Sequence, residues 1–273
     1  MPERILEGLV LSGKPLGESD RLLTLLSEAE GLTRLAAPGA RRPRSSLAAA
    51  MPLTHLRLQV GGRNGSLQRV RQLQVLRHYG ELGQRLECLA AAQLLLELAL
   101  QLAPGEAPAP GLLGCLLLQL GRLEEQVRER QPHAEALATA VHGAVQLLAL
   151  GGYALPLGQC ARSGEPLDPP VGNWEWRCSL LPSEGLVIGA VPGARLVLNA
   201  SELALLQRLV RPVLPRRRDG ELMGPLPVWV RLLTVVEQWW GEHLNRRPRA
   251  LALLRSAFPA GAPRGPATGV QAS

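Results

Sequence analysis

Aromatic side chains are scarce in this chain of 273 residues, which holds five tryptophans, two tyrosines and one phenylalanine; Tyr79 is the single aromatic among the first 80 residues. Modules that grip single-stranded nucleic acid usually stack bases on exposed rings, so a polyanion held by this first part would be held mostly through charge. Lysine is scarcer still, with Lys14 the only one among 30 basic residues. Abundant Ala, Leu, Gly and Pro accompany it, as in a GC-rich genome, so arginine is not read as chosen over lysine position by position. Four cysteines, Cys88, Cys115, Cys160 and Cys178, are too few and too scattered for a disulfide framework. The N-terminus shows no charged region followed by an apolar core and a small-residue cleavage site. The most apolar run, Leu86 to Ala103, is interrupted by Glu87, Gln93, Glu97 and Gln101, as in a buried helix and unlike a membrane span. Together these point to a reducing, cytoplasmic setting without a membrane.

Catalytic patterns are also missing. Gly8 to Lys14 matches the first seven positions of a P-loop, but Pro15 stands where a hydroxyl would bind magnesium. The residues between are bulky strand formers that cannot wrap amides around a phosphate. His55, His78, His133, His142 and His243 are dispersed without metalloprotease spacing, and no serine lies in a nucleophile-elbow sequence. Nothing in the sequence argues for an enzyme.

What is present is charge, unevenly placed. Residues 1 to 79 carry eleven arginines and Lys14 against six carboxylates, so they hold six of the seven units of net positive charge. A basic module joined to a nearly neutral one suggests polyanion binding in the first and protein contacts or packing in the second. Within the basic part, Gly39-Ala-Arg-Arg-Pro-Arg-Ser45 sets three guanidinium forks in four positions around a proline. Such a loop suits phosphate oxygens, although a solubilising surface run is the plainer reading. Arg41, Arg42 and Arg44 are the first candidates for phosphate contact, with Arg21, Arg34, Arg63, Arg69 and Arg71 in support.

The pattern predicts two domains in an α+β chain. Short strands over Arg4 to Lys14, Arg21 to Ser27, Leu32 to Ala36, Thr54 to Val60 and Leu67 to Leu76 fit a five-stranded barrel of the oligonucleotide/oligosaccharide-binding (OB) type over residues 1 to 80. Helices are expected over Glu81 to Ala103, Leu112 to Arg130, Glu135 to Leu150, Leu203 to Val210, Pro227 to Leu244 and Arg249 to Ser256, making a helical domain over 81 to 256. Pro104 to Pro110 reads as a linker, and residues 257 to 273 as a disordered tail. A small irregular or β-hairpin insert interrupts the helices at about 151 to 192. It holds Cys160 and Cys178 without the closely spaced partners of a zinc ribbon, Ser163 and Leu181 standing where those would be, so Trp174, Trp176 and local apolar contacts are expected to hold it. Trp229, Trp239 and Trp240 are read as core, as are Cys88 and Cys115.

Gly8-Leu-Val-Leu11, Gly17-Glu-Ser-Asp-Arg-Leu22, Glu30-Gly31, the Gly39 to Ser45 loop and the leucine-rich helical remainder resemble the RecO family of bacterial recombination mediators. The resemblance is tightest over residues 1 to 80 and continues in order to about residue 256. It implies an OB barrel and a helical domain that bind single- and double-stranded DNA and anneal complementary strands in the nucleoid. It also implies action with RecR, in some bacteria also RecF, to load RecA onto DNA covered by single-stranded-DNA-binding protein. That covering protein's acidic tail would meet the helical domain, where Arg122, Arg128 and Arg130 are candidates and ion pairs with Glu124 or Glu125 explain them equally well. Many members carry a four-cysteine zinc site; here only Cys160 aligns with a ligand, and the metal is expected to be lost. An interaction adaptor, or an RNA-binding barrel, is the competing reading of the residues alone.

Overall fold

The computed structural model describes residues 3–62, 67–244, 246 and 248–258. Five strands form the first part: β1 (Glu3–Leu16), β2 (Asp20–Ser27), β3 (Gly31–Ala37), β4 (Thr54–Gly61) and β5 (Gln68–His78). They close as β1-β2-β3-β5-β4, the last join being made by the pairing of β4 with β1. The long β1 makes this possible. Its first half pairs with β4 and its second half with β2, and a bulge between Val10 and Ser12 bends the strand across the barrel. β3 and β5 meet in a short parallel pairing, Leu35 with Gln68 and Ala36 with Arg69.

Alternation sorts the strand residues between two cores. Leu6, Val10, Leu23, Leu25, Leu35, Leu56, Leu58 and Val60 fill the barrel, joined by Ala40, Leu47 and Ala50 from the segment between β3 and β4. Leu9, Leu11 and Leu26 instead belong to the core of the helices. One outer wall of the barrel is thus a packing surface for the second part, which explains why β1 reads as nearly continuous hydrophobe.

The second part contains α1 (Leu86–Leu102), α2 (Leu112–Arg128), α3 (His133–Leu150), α4 (Ala200–Arg208), α5 (Leu226–His243) and α6 (Ala250–Ala257). α1 packs against α2, α3 and α6, and α3 against α5, so α1 has almost no solvated face. It starts later than the apolar pattern suggests: Gly80–Gln84 is a 3-10 turn whose Leu82 is buried, and Arg85 caps the helix proper. Trp229 and Trp240 are fully buried and Trp239 nearly so; the indole of Trp240 donates to Gln101 Oε1 at 2.8 Å and that of Trp239 to the Tyr153 carbonyl at 2.8 Å. A capping box, with Asn199 and Glu202 bonded reciprocally, starts α4.

The segment between α1 and α2 is more than a linker. Leu32 N donates to the Pro104 carbonyl at 2.9 Å, Glu106 N to the Leu32 carbonyl at 3.3 Å and Ala109 N to the Glu28 carbonyl at 3.0 Å, which straps it along β3. Gly31 permits this approach: its φ is +61°, and a Cβ there would lie 2.3 Å from the Ala107 carbonyl oxygen and 2.4 Å from that of Pro104. Arg77 makes a second join, its guanidinium pairing with the buried Glu124 of α2 while lying 5.0 Å over the Tyr79 ring.

The insert corrects the expectation in two ways. It is built on a three-stranded sheet, β6 (Arg177–Leu181), β7 (Gly185–Ile188) and β8 (Leu196–Asn199), ordered β7-β6-β8, so it extends beyond 192. Trp174 does not hold it, since that side chain is 81% exposed; Trp176 packs against the helical core, and Cys178, Leu180 and Leu186 lie buried there. At the other end Ala257 and Phe258 belong to the fold, with Phe258 buried against His133 at a ring distance of 5.9 Å. The expected tail from 259 onward lies outside the described residues. Among the described residues no helix is long and apolar enough to cross a membrane.

Candidate nucleic-acid interface

The arginine loop is a built feature. Asp20, first residue of β2, accepts the Gly39 amide at 2.8 Å on Oδ1, and Arg41 N donates to the Ser19 carbonyl at 2.9 Å. The Gly39 amide, with neighbouring Arg69 and Arg42, holds the Asp20 carboxyl below its ordinary range. Successive turns follow, Arg42 N to the Gly39 carbonyl at 2.9 Å and Ser45 N to the Arg42 carbonyl at 3.3 Å, with Arg44 in the left-handed region at φ 59°. Ala40, Leu47 and Ala50 of this segment enter the barrel core. The arginines between them are consequently turned to solvent: Arg41, Arg42, Pro43 and Arg44 are all exposed.

The eight candidate arginines of the barrel region separate into groups. Arg41, Arg42 and Arg44 share one exposed loop, and Arg41 ties it to the β1–β2 turn by donating to the carbonyls of Gly17 and Glu18 at 3.2 Å each. Arg69, on the strand paired with Ala36, is close enough to act on Asp20 and so extends this patch; Arg71 follows it, exposed, beside Gly61. Arg34 lies apart, on the barrel wall facing α1. Arg21 is spent on the fold, donating to the carbonyls of Ala50 at 2.7 Å and Ala48 at 3.4 Å, which ties the arginine loop down. Arg63 lies outside the described residues. Among the described residues, Arg34, Arg41, Arg42, Arg44, Arg69 and Arg71 have no carboxylate within ion-pair distance. Tyr79 is buried under Arg77, so among the described residues the barrel has no exposed Phe, Tyr or Trp ring to offer a base.

In the helical part, Arg122 is half-buried and occupied: Nη1 meets Gln119 Oε1 at 3.2 Å and His142 Nδ1 at 3.1 Å, and Nη2 donates to the Pro212 carbonyl at 2.7 Å. Arg128 and Arg130 are exposed at the C-terminal end of α2. Glu124 pairs with Arg77 and not with Arg128, so the competing i, i+4 pair is not formed. A cavity of about 210 Å³ beside Arg122 is lined by Gln126, Gln131, Val213 and Arg216, with Val213 70% exposed. The basic run Arg216 to Arg218 next to it went unremarked in the sequence, although three consecutive arginines are themselves a signal. Arg216 is held by Glu135 at 2.8 Å and Arg217 by Asp219 at 2.8 Å.

The zinc ligand set of the resembled family does not fit this chain. A tetrahedral structural site needs four thiolate or imidazole donors. Cys160 Sγ instead accepts the Ile188 amide at 3.4 Å and, with Ser163 beside it, has its pKa drawn down to about 7 by hydrogen bonding. Cys178 is buried and pushed up to about 12, chiefly by loss of solvent. Among the described residues no group of three metal-ligating side chains comes together.

Comparison with known proteins agrees with this architecture. Residues 1–79 match the model of the recombination protein O N-terminal domain, and residues 83–252 that of the C-terminal domain. The chain belongs to the RecO family. It is 63% identical over 258 residues to the DNA repair protein RecO of Prochlorococcus marinus (strain MIT 9303), covering 94% of this chain and 96% of that one. Against the RecO protein of Synechococcus sp. (strain WH7803) the identity is 60% over 259 residues, and against that of Trichodesmium erythraeum 30% over 267, covering 90% and 92% of the two chains. In RecO terms, the arginine loop lies in the N-terminal domain and Arg122, Arg128 and Arg130 in the C-terminal one.

Proposed function

We propose that this RecO-family chain binds single- and double-stranded DNA through the arginine loop and β5, and anneals complementary strands. Family membership supports the coarser statement, a protein of DNA repair and recombination. The observation that carries the finer one is the cluster of exposed, carboxylate-free arginines, Arg41, Arg42, Arg44, Arg69 and Arg71, fixed to a closed barrel whose described residues expose no Phe, Tyr or Trp ring. Such a surface grips phosphate without reading bases. Two strands held against it are partly neutralised, so the repulsion that opposes their approach falls and the bases remain free to pair. No covalent step is involved, and no catalytic residue is needed.

As in the RecO mediators that the sequence resembles, action with RecR, with or without RecF, to load RecA onto DNA coated by single-stranded-DNA-binding protein belongs to this reading. Arg128 and Arg130 are the better candidates for that protein's acidic tail, because the guanidinium of Arg122 is already engaged.

The test is an annealing and binding assay across a salt series. Five phosphate contacts on a single strand give a log–log salt slope of about −3.5, at roughly −0.7 each, and charge reversal at Arg41, Arg42 and Arg44 reduces it to about −1.4. Binding weakens alike on every sequence, and annealing slows. Unchanged binding in the triple variant sinks the assignment, and a preference for ribo-oligonucleotides favours an RNA-binding barrel.

A further inference from the structure

A second open space lies away from the arginine loop. A cleft of about 1340 Å³ runs between the outer wall of the barrel and α1, with the residues that precede α6 on its far side. Four cations line it: Lys14 from β1, Arg34 from β3, and Arg246 and Arg249 beside α6. All four are exposed, and among the described residues none has a carboxylate within ion-pair distance. Of the two carboxylates on the walls, Glu97 is partly engaged, accepting the Ala250 amide at 3.1 Å, and Glu106 is exposed.

Strand register connects the cleft with the loop. Ser12, Thr24 and Arg34 are cross-strand partners and form one row, and Lys14 lies two residues nearer the β1–β2 turn. At about 3.3 Å per residue, Lys14 stands roughly 7 Å from that row and roughly 10 Å from Gly17, whose carbonyl accepts from Arg41. Arg41, Lys14, Arg34 and the pair beside α6 therefore make one file of positive charge that a single backbone can follow. The walls are equally informative, because the partly exposed Leu32, Leu53 and Leu100 line the cleft along with the cations. A duplex turns phosphate and sugar outward and has nothing to set against leucine, whereas an unpaired strand exposes apolar base faces.

We propose that this cleft is a second site for single-stranded DNA, continuous with the arginine loop. It takes the strand onward from the loop, with Lys14, Arg34 and Arg249 on phosphates and the leucines against bases. The inference rests on the barrel's being a DNA-binding module, and its test separates the two.

The full chain is titrated with labelled oligothymidylates of about 6 and about 15 nucleotides, within the range of site sizes of such barrels. The wild type binds the longer one more tightly. In Lys14→Gln/Arg34→Gln/Arg249→Gln that gain is lost, about a hundredfold at roughly 0.1 M salt for three contacts, while affinity for the short oligonucleotide is kept. Glu106→Gln, which removes only a carboxylate and leaves every cation in place, raises long-oligonucleotide affinity severalfold, and gives a reading should the triple variant melt early. Wild-type affinity of a normally melting triple variant for the long oligonucleotide overturns the cleft and leaves the loop reading intact. Failure of the wild type to bind either oligonucleotide overturns both. Loss of binding to an acidic peptide, with oligonucleotide binding unchanged, assigns the cleft to a protein and overturns it as well.

Discussion

Protonation of one histidine should govern how the helical part tolerates acid. His142 of α3 is fully buried, and its Nε2 donates to the Arg211 carbonyl at 2.8 Å. Its Nδ1 faces the Arg122 guanidinium at 3.1 Å, so the neutral ring accepts there and has no room for a second proton. Burial pushes its pKa down to about 4; the Arg122 charge adds to this, and the bond to the Arg211 carbonyl opposes it. The unfolded chain takes up the proton near pH 6.5, which the folded chain refuses until about pH 4. Stability therefore falls as pH drops through this window, by about 2 kcal/mol between pH 7 and pH 5. Urea unfolding followed by the fluorescence of the buried Trp229 and Trp240 reads it, with His142→Gln as the reference because it has no proton to gain. The wild type should lose about 2 kcal/mol more than the variant over that interval. Equal losses in the two proteins would refute the reasoning.

Two further results are expected from denaturation of single variants. Arg77→Ala leaves the Glu124 carboxylate nearly buried without its cation. It should cost about 1–2 kcal/mol, less than the roughly 3–5 of a fully buried pair because Arg77 itself is partly solvated; Arg77→Ala/Glu124→Leu should recover most of it. Gly17 and Gly31 both have φ near +60°, but a Cβ on Gly17 meets open space and one on Gly31 meets two carbonyl oxygens. Gly17→Ala should cost about 1 kcal/mol, and Gly31→Ala clearly more, with loss of the strap along β3; similar midpoints for the two would contradict that account.

The five strands were legible as short apolar segments set off by turn residues, and Thr54 to Val60, which alternates strictly, is the plainest case. The helices were legible from leucine runs and their Pro and Gly stops. The insert was legible only as an irregular or β-hairpin segment, since β6, β7 and β8 are only four or five residues long and carry too little alternation to fix a three-stranded sheet. For the site, the arginine loop stood out as a local cluster of charge. What a linear reading could not give was the use of each guanidinium: Arg21 and Arg122 look as free as Arg42 until their carbonyl and imidazole partners, 20 to 90 residues away, are brought to them by the fold. The cleft was hidden for the same reason, its cations being gathered from Lys14, Arg34 and Arg249 by strand register and by the packing of α6 on α1.

Leu9, Leu11 and Leu26 leave the barrel to join the core of the helices, and this has a mechanical meaning. A barrel cut away at residue 80 would carry a bare leucine wall into water, so the two parts are not beads on a string. A load applied at the arginine loop is transmitted through those leucines and the Arg77–Glu124 contact into α1 and α2, with no slack joint to absorb it. The chain then works as a stiff handle, in which moving the helical end moves the arginine loop.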